Sequence, residues 1–160
     1  MGLVAEDIIE RYQERLKKVI DNVRIELERF SWHCSKISKV GDGAFAIAAS
    51  RDPHHLSRDG EPDEYDFEVR VETIIAHPED SDEVINAKFK MDIIPFEGPP
   101  IFYKFIDSLF PPESAFKLMS PVDLDQAIES SMRELETIEP YDIVKMVQKW
   151  LKGKLPQMQK

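Results

Sequence analysis

The chain reads as a single α+β domain: a long N-terminal helix, a four-stranded, mainly antiparallel sheet made of two hairpins, and two to three C-terminal helices packed on the sheet. Three observations predict this. Residues 67–75 and 85–93 alternate apolar and polar side chains with the period of two that a half-buried strand requires. Residues 4–30 contain no Gly or Pro and repeat apolar side chains every three or four positions, the helical period. Strand patterns cluster in the middle of the chain and helix patterns at its two ends, an order that fits α+β better than alternating α/β architecture. With 160 residues the chain is about the size of one domain, so 1–160 divides into a helix (1–31), a sheet (32–96) and a helical cover (97–160).

The first helix carries its apolar side chains at Val4, Ile8, Ile9, Tyr12, Leu16, Val19, Ile20, Val23, Leu27 and Phe30, with acid-before-base pairs Asp7–Arg11 and Glu14–Lys18 on the exposed side. At about 1.5 Å per residue it is longer than a small sheet needs, so the excess either overhangs the sheet or packs against a second copy of the chain, and a homodimer is expected. Gly41-Asp42-Gly43 then separates two β-compatible runs, which is a hairpin signal because glycine accepts the positive φ of a tight turn. In the second run Phe45, Ile47 and Ala49 alternate with Ala44, Ala46 and Ala48. An all-alanine face predicts either a helix pressed against it or a shallow open groove.

Residues 51–64 form a polar loop broken by Pro53, Gly60 and Pro62. In the hairpin that follows, setting Val71 opposite Met91 also sets Glu72 opposite Lys90 and Arg70 opposite Asp92. Both faces of the pair therefore choose one antiparallel register. Glu97-Gly98-Pro99-Pro100 should end the sheet, since proline cannot donate to a ladder. Ile101, Phe102, Phe105, Ile106, Leu109 and Phe110 then suggest a short helix. Ser120-Pro121 starts the next helix as N-cap and first helical residue, with a stripe of Leu124, Ile128, Met132, Leu135 and Ile138. Pro140 restarts it, Ile143, Val144, Val147, Trp150 and Leu151 supply the last stripe, and Gly153 is the expected C′ residue.

The formal charge is −10, and residues 59–83, with eleven acids and Arg70 as sole base, carry all of that excess. A field of that sign repels phosphate, which argues against nucleic-acid and anionic-membrane partners and in favour of a basic protein partner. Residues 1–12 hold acids where a secretory signal needs basic residues, no window approaches a membrane span, and Cys34 is the single cysteine. A cytoplasmic protein is expected.

Few residues suggest chemistry. His54 and His55, with Asp59, are the best metal-ligand candidates, yet neighbouring histidines on an extended chain point to opposite sides and no ligand spacing supports them. A solvated loop is the better expectation, and no cofactor is expected. Cys34 beside His33 has the same geometry problem as a nucleophile and base. No catalytic residue is assigned. What remains points to interaction. Aromatic side chains concentrate between 96 and 116, where Phe96, Phe102, Phe105 and Phe110 could anchor a partner, and Asp80, Asp82 and Glu83 could steer a basic one. The function expected is a non-enzymatic protein-interaction module: an adaptor, chaperone-like or regulatory protein. The rival is a small-molecule or metal-binding protein, or a weak hydrolase, and it requires a pocket between sheet and helices.

Overall fold

Helix α1 spans Ala5–Arg29 in the computed structural model, which describes residues 4–56, 65–77, 83–97, 101–102 and 121–158. Its apolar positions form one stripe, and Ile8, Tyr12, Leu16, Val19, Ile20, Val23 and Leu27 are all buried. The helix stops in a Schellman turn. The Ser31 N–H donates to the Glu28 carbonyl and the Trp32 N–H to the Leu27 carbonyl, both at 3.1 Å, with Ser31 at φ +71°. That left-handed residue swings Trp32 back beneath the helix, where it is buried and meets Phe67 edge-on at 4.9 Å.

The sheet follows. Strands β1 (His33–Cys34) and β2 (Ser38–Gly41) both pair with β3 (Ala44–Ser50), and β3 pairs with β4 (Phe67–Ala76). Next come β5 (Asn86–Pro95) and β6 (Ile101–Phe102), in that order across the sheet, with every pairing antiparallel. The β4–β5 register is the one the alternation demands: Val71 faces Met91, Glu72 faces Lys90 and Arg70 faces Asp92. Gly43 closes the first hairpin at φ +69°, pressed so near β4 that a Cβ there would lie 2.9 Å from Thr73 Oγ1.

Helices α2 (Pro121–Glu136) and α3 (Pro140–Met158) complete the fold. Helix α1 lies over β3 and β4, α2 over β5, and α3 against α1. Tyr12 of α1 meets Phe89 of β5 at 5.0 Å, and Trp150 of α3 meets Phe67 at 6.3 Å. All three helices therefore share one face of the sheet, the face made by Phe45, Ile47, Val69, Val71, Phe89, Met91 and Ile93, every one of them buried.

Four details differ from the sequence expectations. The first arm of the first hairpin is split, because the Ser35 hydroxyl accepts a bond from the Ala48 N–H at 2.9 Å and takes the place of a strand partner; the sheet has six strands where four were expected. Ile101–Phe102 is a strand on the open edge of β5, whose unpaired backbone groups win over the helical stripe. Gly153 lies inside α3, which runs on to Met158. Arg11 bonds Asp125 of α2, and Glu14 bonds Lys17 at 3.3 Å, so tertiary and nearer partners displace the Asp7–Arg11 and Glu14–Lys18 pairs. The α1 stripe packs against the chain's own sheet and helices.

Candidate interaction face of the sheet

Residues paired in an antiparallel ladder share a face, so the register defines the second side of the sheet. It comprises Ala44, Ala46 and Ala48 of β3, Glu68, Arg70, Glu72 and Ile74 of β4, and Lys88, Lys90, Asp92 and Ile94 of β5. No described helix packs on it. Its charged groups form a ladder of alternating sign. Arg70 reaches Glu68 at 2.5 Å and Glu72 at 3.6 Å, while Lys90 reaches Glu72 at 3.6 Å and Asp92 at 3.1 Å. The Glu72–Lys90 pair crosses the strands as the register predicts, whereas Arg70 turns to carboxylates on its own strand. Its Nε is buried without a hydrogen-bond partner among the described residues. Burial opposes the charge on Lys90, yet Asp92 and Glu72 outweigh it and raise its pKa.

Beside the ladder the alanine strand floors a shallow groove of about 220 Å³, walled by Ser35, Ser38 and Val40 on one side and Tyr65 and Glu68 on the other. Of the two alternatives for the alanine face, the groove is the one realised among the described residues. At one end stands an aromatic pair. Beyond the last ladder pair, Phe67–Pro95, the Phe96 N–H donates to the Asp66 carbonyl at 3.1 Å, and this sets the Phe96 ring edge-on to Tyr65 at 5.0 Å. Phe96 remains 46% exposed there. Burial, with Glu68 nearby, raises the Tyr65 pKa. Tyr65 escaped the sequence reading, although extending the β4–β5 register past Phe67 brings its neighbour Asp66 to Phe96.

No family model, curated protein or solved structure matches this chain.

The β6 backbone holds Phe102 as the register partner of Asp92, and Glu83 forms an isolated bridge with Val4 at the start of α1. Phe105, Phe110, Asp80, Asp82 and Asp59 lie outside the described residues. His54 is exposed in the 3-10 turn Pro53–His55, where its N–H is capped by the Asp52 carboxylate at 2.9 Å. Among the described residues, no three His, Cys, Asp or Glu side chains gather as metal ligands.

The pocket that a small-molecule reading requires would lie between sheet and helices, and among the described residues that layer is filled. Tyr12, Phe67, Phe89, Ile47 and Met132 are each at most 2% exposed. Two hollows lined by described residues are peripheral. One of about 630 Å³, lined by Glu28, Trp32, His33, Cys34, Pro53 and Leu56, brings the cysteine to the start of the histidine turn. Burial, followed by the Glu28 charge, pushes the Cys34 thiol up to about 12. A thiol held that high is protonated at neutral pH, the opposite of an activated nucleophile. The other hollow, about 480 Å³, lies between α1 and the α2–α3 turn.

Proposed function

We propose that this chain is a non-enzymatic protein-interaction module, an adaptor, chaperone-like or regulatory protein, and that its partner docks on the second face of the sheet at the Tyr65–Phe96 end. The supporting observation is Phe96: a phenylalanine held by a backbone hydrogen bond and an aromatic neighbour, yet 46% exposed beside a groove floored by alanine. Rigid, half-exposed aromatic rings next to a depression are the usual anchors of protein interfaces. The acidic stretch 59–83, which includes Tyr65 and the β4 side of the groove, favours a basic partner segment. No described helix is long and apolar enough to cross a membrane, and the reading takes the protein to act in the cytoplasm.

Site-specific photo-crosslinking in cells tests the proposal. A crosslinker at Phe96 or Val40 should yield a discrete protein adduct, and one at exposed Gln126 of α2 should not. Equal labelling at all three positions, or adducts only at Gln126, would overturn the placement.

A further inference from the structure

We infer that the occupant of the charge ladder is a second copy of this chain, stacked face to face about a two-fold axis running along the strands between β4 and β5. The inference rests on the reading above only in taking the second sheet face to be an interaction surface. It follows from the register. Glu72 is paired with Lys90 and Arg70 with Asp92, opposite signs in both pairs. A two-fold along the strands lays β4 of one copy over β5 of the other, so each residue meets the second copy of its own register partner. Glu72 then faces Lys90 and Arg70 faces Asp92, each contact occurring twice, and no like charges oppose one another.

Such an isologous stack is the closed form of self-association, since the same patch serves both copies. Sheets stacked face to face lie about 10 Å apart, a gap that long Arg, Lys and Glu side chains can span. With three acids and three bases on β4 and β5, the face is neutral on a chain of net charge −10, so the repulsion between copies is smallest there.

Sedimentation velocity of the full chain at low and high salt tests this. The expected result is a dimer at low salt whose dissociation constant rises with salt. Lys90→Glu and Glu72→Lys, each alone, should raise that constant about tenfold or more, because both two-fold contacts become like-charged. Mixing the two variants should restore association, because every contact in the mixed dimer again joins opposite charges. Mixing cannot repair charge pairs within either chain, so rescue separates dimerisation from folding. A monomer at all concentrations and salts, or a dimer indifferent to both substitutions, would overturn the inference. Loss of the Phe96 crosslinks with the dimer intact would overturn the partner site alone.

Discussion

The Ser131 hydroxyl of α2 accepts a hydrogen bond at 3.2 Å from the backbone N–H of Phe89, 42 residues earlier in the chain. Among the described residues β6 pairs with β5 at Asp92 and Ile93, and the Phe89 N–H, further along that edge, would be buried without a partner if α2 did not supply one. Ser131→Ala should lower stability by about 1–3 kcal/mol, the range for a buried donor left unpaired. Urea unfolding with a lower midpoint and an unchanged slope would show it; an unchanged midpoint would refute it.

Ser31 holds φ +71° at the end of α1, a conformation that costs an L-residue about 1–2 kcal/mol relative to glycine. Ser31→Gly should therefore raise the melting temperature. A decrease would mean that the Ser31 side chain contributes more than its backbone strain removes.

Gly43 makes the converse case. Its φ of +69° and the 2.9 Å approach of Thr73 Oγ1 leave no room for a methyl group, so Gly43→Ala should destabilise by more than about 1 kcal/mol. Calorimetry of the variant checks this directly.

The charged seam between α1 and α2 predicts a response to acid. Arg15 bonds Glu129 at 2.8 Å and Glu136 at 2.5 Å, and the Tyr12 hydroxyl donates to Glu129 at 2.9 Å. Burial works to raise the Glu129 pKa, but the bonds from Arg15 and Tyr12 outweigh it and hold the carboxyl below its ordinary value. Burial, then the bond to Glu129, pushes Tyr12 up to about 12. Because the folded pKa of Glu129 lies below the unfolded one, its stabilisation is complete above the unfolded value and is lost as pH falls through the folded value. Urea midpoints should decline below about pH 4.5, and Glu129→Gln should reduce that decline.

Cys34 should be sluggish. With its thiol pushed up to about 12, alkylation by iodoacetamide at pH 8 should run about a hundredfold or more slower in the native protein than in the unfolded chain. Comparable rates would contradict the burial assigned to this side chain.

The β4–β5 register was legible from the letters alone because two independent patterns, apolar on one face and charge on the other, select the same alignment, and a slip of one residue would spoil both. The stripes of α1, α2 and α3 were legible for a similar reason: Leu124, Ile128, Met132 and Leu135 repeat at a spacing that only a helix brings to one side. The failures lie where a tertiary partner outbids a local pattern. Arg11 prefers Asp125 to Asp7, Ser35 imitates a strand partner, and Ile101–Phe102 answers the open edge of β5. At the candidate site Phe96 was visible as one of a run of aromatic residues, but its partner Tyr65 was not, since only the hairpin closes the 31 positions that separate them.

Phe30, at the end of α1, stacks on Tyr141, at the start of α3, at 5.5 Å, so the first helix is covered on one side by the last. On a ribosome these two segments appear in the opposite order to their need. The stripe from Ile8 to Leu27 leaves the exit tunnel well before residues 121–158, which shield part of it. At about 5–20 residues per second the interval is several seconds or more, during which the side of α1 that meets α3 has no permanent cover. Consolidation of this fold therefore waits for α3, and a chain interrupted before it would leave the side of α1 that meets α3 bare.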